Sequence, residues 1–270
     1  VSIFAAIQMA SGSQLSANLL MAERLIADAV EAGARMVVLP ENFAFIGKQD
    51  KDIVDICEEP DSGPLQDFFA ELAQRHAVWI CGGTIPLRSP DSDRVYASSL
   101  IYDDEGRQVS RYDKIHLFDV QMIDSDEQYN ESASIYPGHE TVVTETPFGR
   151  VGMAVCYDLR FPEQFRELIT KGAEIILLPA AFTALTGKAH WEVLLRARAI
   201  ENLCYIVAAA QGGYHINGRS TYGHSMIVDP WGGMTQLNST TPGFITAEVK
   251  IDYLHSTRRS FPALEHRRLS

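Results

Sequence analysis

The sequence is poor in cysteine, in basic charge and in long apolar runs, and each shortage removes a class of function. Four cysteines, Cys57, Cys81, Cys156 and Cys204, stand among 270 residues. They form no Cys-x-x-Cys pair and have no histidine at ligand spacing, so neither a zinc site nor a disulfide framework is expected. Four thiols in an acidic chain fit a reducing cytoplasm. Lys and Arg number 23 against 35 Asp and Glu, a formal charge of -12. Such a surface repels a phosphate backbone, and no nucleic acid partner is expected. Apolar runs such as 203–210 fall far short of the roughly 18 to 20 residues that span a membrane. A strand-like run begins at Ile3, so no signal peptide, anchor or membrane partner is expected. Low-complexity and Pro/Ser-rich linkers are missing as well, which favours one domain over residues 1–270.

What is present is an ordinary globular composition, 46% apolar and 21% charged. A chain near this length buries about 75% of its unfolded surface and needs no staple to hold a core. Residues 3–9 read as a buried strand, and 14–32 carry Leu15, Leu19, Ala22, Leu25, Ile26 and Ala29 at helical spacing, closed by Gly33. The run from Gly33 to Pro40 is then echoed by Gly172 to Pro179. Further echoes pair the helix at 64–76 and the strand at 78–83 with a helix at 188–202 and a strand at 204–210, and 99–106 with 225–232. Two such halves, each with helices that bury one face on a sheet, predict an α/β fold: a four-layer α-β-β-α sandwich with an internal pseudo-twofold repeat. A single doubly wound sheet is the alternative architecture.

Cys156 follows the apolar stretch 151–155 and precedes Pro162, which suits the first turn of a helix. A cysteine at a strand-to-helix junction is presented with backbone N–H groups nearby, which is nucleophile geometry. Cys81 and Cys204, inside apolar strands, read as core residues, and Cys57 as incidental. Glu41 sits just after a strand where the repeat has Ala180, so its charge departs from an otherwise apolar echo. Alone it reads as a solvated loop residue, and Lys114, between Tyr112 and His116, as an exposed edge lysine.

Taken together, residues 39–42, 112–117 and 155–163 resemble, in that order, the three catalytic motifs of the nitrilase (carbon-nitrogen hydrolase) superfamily, over essentially the whole chain. The resemblance implies Glu41 as general base, Lys114 as electrophilic stabiliser, Cys156 as nucleophile and Glu131, ahead of Pro137-Gly138, as a second glutamate orienting the lysine. These residue types cooperate naturally. A carboxylate takes the thiol proton, the thiolate attacks an amide carbonyl, and the ammonium with the Tyr157 N–H holds the oxyanion until water frees the acid. No metal or organic cofactor has a role in that scheme.

The sequence Tyr157-Asp158-Leu159-Arg160-Phe161-Pro162 is similar to the Nit amidase branch rather than to nitrilases proper. Within it, residues 189–202, 208–215 and 221–232 point to members acting on deaminated glutathione; α-ketoglutaramate is the alternative small-molecule amide substrate. The resemblance implies that Arg160 clamps a substrate carboxylate. It places Phe182 and Thr186 in the same pocket, on the loop after the strand at 175–178. Arg160 paired with Asp158 or Glu163 is the competing view. Arg198 reads as a buried arginine satisfied by Glu201, and the loop from Gly212 to Arg219, with His215, as the leaving-group side. A homodimer or larger homo-oligomer is the family expectation. Two other classes stay open: a protease with a histidine paired to Cys156, and a catalytically silent scaffold.

Overall fold

The computed structural model describes residues 1–121 and 128–269. Two sheets carry the chain. The first runs, strand by strand, Gly243–Val249, Ser2–Gln8, Met36–Val38, Trp79–Cys81, Val95–Tyr102 and Ile85–Arg88, with Gln108–Asp113 also pairing with Val95–Tyr102. The second runs Met234–Gln236, Met226–Val228, Tyr205–Ala210, Ile175–Ala180, Gly149–Met153 and Val143–Thr146. In each, three consecutive parallel strands form the centre and antiparallel strands flank them.

Alternation along the strands builds the layers. Phe4, Ala6, Met36, Val38, Trp79 and Cys81 pack into one core with Val151, Met153 and Ile175 of the second sheet. Ala5, Ile7, Val37, Leu39 and Ile80 turn the other way and pack with Ala22, Ile26, Phe69 and Leu72 of the helices Leu15–Glu31 and Pro64–His76. Successive strand residues face opposite sides, so one apolar run serves both interfaces. Helices Pro162–Thr170 and Ala184–Asn202 cover the outer face of the second sheet. The result is the four-layer α-β-β-α sandwich, not a single doubly wound sheet.

The internal repeat survives in backbone detail. Gly33 and Gly172, at φ 92° and 94°, end their helices in the left-handed region, which glycine enters without steric cost. The next amide closes the turn alike in each half, Ala34 N–H to Ala29 O and Ala173 N–H to Leu168 O. One boundary differs from expectation. The helix expected to start at Lys188 starts at Ala184, because Thr183 caps it and its Oγ1 accepts the Thr186 N–H. Thr186 therefore stands in a first helical turn rather than on a loop.

Candidate active site

The strand Gly149–Met153 runs into a tight turn, Cys156–Arg160, before Pro162 opens the next helix. Cys156 itself lies at φ 46°, a left-handed conformation that costs a non-glycine residue roughly 1–2 kcal/mol. Asp158 holds this elbow. Its buried carboxylate accepts the Val155 N–H at 2.8 Å and the Tyr112 hydroxyl at 2.6 Å on one oxygen. The other oxygen accepts the His116 N–H at 3.1 Å and lies 2.8 Å from His116 Nδ1. The Tyr112 oxygen in turn accepts from Ile115 N–H and Gln164 Nε2. One carboxylate thus ties the segment 112–116, which carries Lys114, to the segment that carries Cys156.

Lys114 is fully buried and donates to Glu41 Oε1 at 2.7 Å and to both oxygens of Glu131 at 2.6 and 2.9 Å. Glu131 also accepts the Phe118 N–H. Burial alone would lower the lysine, but the Glu131 and Glu41 carboxylates outweigh it and hold its pKa well above the usual value. Burial likewise raises the Glu131 carboxyl, against the opposing pull of Lys114. The Cys156 thiol is pushed well above its ordinary value, first by burial and then by the Glu41 charge, while Lys114 and the Ala181 N–H pull it down. The thiol therefore holds its proton at rest, and the Glu41 carboxylate is the group near it that can receive that proton.

The supporting backbone leaves little freedom. Gln211 Nε2 donates to the Glu41 carbonyl and to Ser11 Oγ, joining the two halves directly behind the carboxylate. Gly138 N–H donates to the Lys114 carbonyl at 2.8 Å. A side chain at Gly138 would stand 2.1 Å from Asp113 O, so only glycine lets this turn lie against the lysine.

Glu41, Lys114, Glu131, Cys156, Tyr157, Arg160, Phe182 and Thr186 all line one cleft. The structure thus brings these eight residues to one place, while His215 of the expected leaving-group loop lies outside it. The Arg160 guanidinium lies 5.2 Å from the centre of the Phe182 ring and 6.0 Å from that of Tyr157. Its Nη1 is 3.2 Å from His190 Nδ1. Neither Asp158 nor Glu163 pairs with it, because Asp158 is turned inward to the elbow. Arg198 is a buried residue bonded to Glu201 and to the Leu159 carbonyl. His215 does not reach the cleft. It is buried between Ser11 O and Thr221 Oγ1, and burial lowers its pKa. Arg219, from the same loop, does line the cleft. Among the described residues no histidine lines it, which removes the partner a histidine-dependent cysteine protease requires. No group of three or more His, Cys, Asp or Glu among the described residues could hold a metal ion.

A buried thiol in contact with a carboxylate, beside an ammonium shared by two carboxylates, within stacked sheets, defines a thiol-dependent hydrolase of the α-β-β-α type. Comparison with known proteins places it further. The carbon-nitrogen hydrolase family profile matches residues 4–259, and the chain belongs to that family of amide-hydrolysing enzymes. It is 44% identical to a deaminated glutathione amidase of Yersinia enterocolitica, covering 98% of this chain and 92% of that protein. It is 40% identical to the human deaminated glutathione amidase, covering 98% of this chain and 82% of that one. Among solved structures, the Caenorhabditis elegans NitFhit protein superposes with a TM-score of 0.90 at 39% identity. That alignment covers 99% of this chain, which spans 65% of the longer fusion chain. Saccharomyces cerevisiae Nit3 superposes with a TM-score of 0.88 at 29% identity, covering 99% and 97%.

Proposed function

We propose that this amidase hydrolyses deaminated glutathione to 2-oxoglutarate and cysteinylglycine through a thioester on Cys156. The observation that carries the chemistry is the placement of the Lys114 ammonium between Glu41 and Glu131, at the thiol of Cys156. Glu41 takes the thiol proton as the sulfur attacks the amide carbon. The tetrahedral oxyanion is held by Lys114 and by the Tyr157 N–H. The C–N bond breaks as Glu41 returns its proton to the leaving amine. Water, deprotonated by the same carboxylate, then attacks the thioester; the C–S bond breaks, the proton returns from Glu41 to the Cys156 sulfur, and the acid departs. Glu131 keeps the ammonium charged and aimed. The substrate choice draws on the names of the relatives and on the cleft's basic groups.

The test is direct: kcat/KM for deaminated glutathione against that for α-ketoglutaramate, measured on the same preparation. A preference for α-ketoglutaramate would make the protein an ω-amidase, and no turnover of either would support a silent scaffold.

Arg160, with Phe182 and Thr186, receives the α-keto acid end of the acyl group in this reading. Arg160→Lys keeps the charge and loses the planar fork. It is expected to lower kcat/KM roughly ten- to a hundredfold on both substrates, which share that end. An unchanged kcat/KM would remove Arg160 from substrate binding.

Residues 1–270 act in this reading as one domain, since the cleft draws on both sheets. Four free cysteines favour a reducing compartment such as the cytoplasm. Among the described residues no helix is long and apolar enough to cross a membrane. Val193 and Ile200 lie exposed on one helix, and Ile200 stands beside Gly232, which follows Trp231 of the edge-to-face pair Trp231 and Phe261. We assign this apolar patch to contact with a second copy of the chain. Sedimentation showing only monomer at micromolar concentration would overturn that.

A further inference from the structure

The cleft contains a second arginine that the proposed chemistry leaves unused. Arg219 enters from the turn between Gly212–Tyr214 and Ser220–Tyr222. Its guanidinium lies 4.4 Å from the centre of the Tyr129 ring. Nη1 and Nη2 meet the two Asp50 oxygens at 2.7 and 3.1 Å, and Nη2 lies 3.4 Å from the Gln128 carbonyl. Both partners of this ion pair are about one-third exposed, at 31% and 39% of their side-chain surface. Both also line the cleft that holds Cys156. The pair is therefore neither a buried structural bridge nor a remote surface contact.

We propose that Arg219 is a carboxylate subsite for the leaving amine, and that Asp50 tunes it by competing for the same N–H groups. The proposal rests on the substrate reading above and deepens it. The acyl end of such a substrate is assigned to Arg160, which shares its turn with the nucleophile. Arg219 stands on a separate segment, with Asp50 and Tyr129. A leaving group such as a dipeptide ends in a carboxylate of its own, several bonds beyond the cleaved nitrogen. Ammonia, the leaving group of a simple ω-amide, has nothing to offer this arginine. A guanidinium stacked on an aromatic ring keeps its edge free to exchange one carboxylate for another, because the bidentate geometry is the same for both. Asp50 then acts as an occupant that the substrate carboxylate displaces. That displacement makes the subsite weaker than an unpaired arginine, while sparing the protein an uncompensated cation when the cleft is empty.

The arrangement makes the two partners act with opposite sign, which a mere tie across the rim would not. The probes are deaminated glutathione, the same compound with its glycine carboxyl converted to the amide, and α-ketoglutaramate. Wild-type enzyme should favour the free acid over its amide in kcat/KM by roughly three- to tenfold, a modest factor because the site is part exposed and Asp50 competes. Arg219→Ala should bring that acid-to-amide ratio to about one and lower the ratio of deaminated glutathione to α-ketoglutaramate. Asp50→Asn should raise both ratios, since it removes the competitor and leaves the arginine. If Asp50→Asn and Arg219→Ala lower all three rates alike, the pair is a structural latch and the subsite is overturned. If both ratios stay unchanged in both variants, Arg219 does not meet the leaving group. Absence of wild-type turnover on deaminated glutathione and its amide, with α-ketoglutaramate still hydrolysed, would take down the substrate reading and this subsite together.

Discussion

Cys156→Ala is expected to leave no measurable turnover, while Cys57→Ala, Cys81→Ala and Cys204→Ala retain it. The four thiols differ in surroundings rather than in chemistry. Burial pushes Cys81 to about 11 and Cys204 to about 12, and neither lines the cleft. Cys57 is part exposed, is also raised, directs its thiol to the Glu58 carbonyl and lies outside the cleft. Only Cys156 combines a raised pKa with a carboxylate in contact and an ammonium beside it. Deleting a hydrolase nucleophile costs on the order of 10⁶ in kcat in the best-studied serine case, and a loss of that order is the expectation here. Mass spectrometry after brief exposure to substrate should place the acyl adduct on the peptide bearing Cys156. An adduct on another cysteine, or turnover by Cys156→Ala, would end the assignment.

Lys114→Ala should lower kcat by at least about 10² to 10³, the range for one lost oxyanion donor, or roughly 2.7–4 kcal/mol. The electrostatics argue for the upper part of that range. Without the ammonium, Glu41 and Glu131 face each other in a buried site, so one of them takes up a proton. If Glu41 takes it, the base is lost together with the oxyanion partner. Breaking a buried ion pair also costs about 3–5 kcal/mol of stability, so thermal unfolding should be followed beside kinetics. Lys114→Arg separates the two effects: it keeps a cation between the carboxylates while its planar fork cannot reproduce the ammonium contacts. It should recover more of the lost stability than of the lost rate. The pH profile supplies a further check, since the raised pKa of Lys114 keeps it charged well into alkaline solution. Activity should show no alkaline loss attributable to this lysine. A Lys114→Ala enzyme near wild-type rate would refute the mechanism.

Local pattern and repetition made the fold readable. The apolar runs at 36–39 and 175–178 are continuous because both faces of their strands are covered, and the glycines before them mark helix ends by the conformation they must adopt. The candidate site was legible through the resemblance of three ordered motifs; residue by residue only Cys156, at a strand-to-helix junction, stood out, while Glu41 alone read as a solvated loop residue and Lys114 as an exposed edge lysine. The role of Asp158 was not legible. Its four contacts join positions 112, 116 and 155, and nothing in residue spacing announces which buried acceptor will serve several distant donors. The tie from Gln211 to Ser11 and the Glu41 carbonyl is hidden for the same reason, spanning up to 200 residues of sequence. Sequence neighbours also misled. Asp158 and Glu163 lie near Arg160 along the chain, but a tight turn aims them elsewhere and leaves His190, thirty residues on, as the contact. His215 looked like a polar group of the substrate loop, whereas its ring fills a buried gap between Ser11 and Thr221.

The paired registers of the two sheets carry one last consequence. Phe4 aligns with Met36 as Val151 aligns with Ile175, so the repeat that equates Met36 with Ile175 also equates Met9 with Cys156. Ala180 already answers to Glu41. The repeat thus offers a second place of like register, where a thioether stands for the thiol and a methyl group for the carboxylate, both wholly buried; the backbone differs there, since Cys156 lies at φ 46° while Met9 sits in a β-bridge with Gln211. Symmetry of the chain path has not been followed by symmetry of charge. A second ammonium with its two carboxylates would have to be stripped of water inside the same core, at several kcal/mol for each ion before pairing. Filling the vacant twin with hydrocarbon turns that liability into packing. The ammonium with its two carboxylates therefore stands on one side of the pseudo-twofold only.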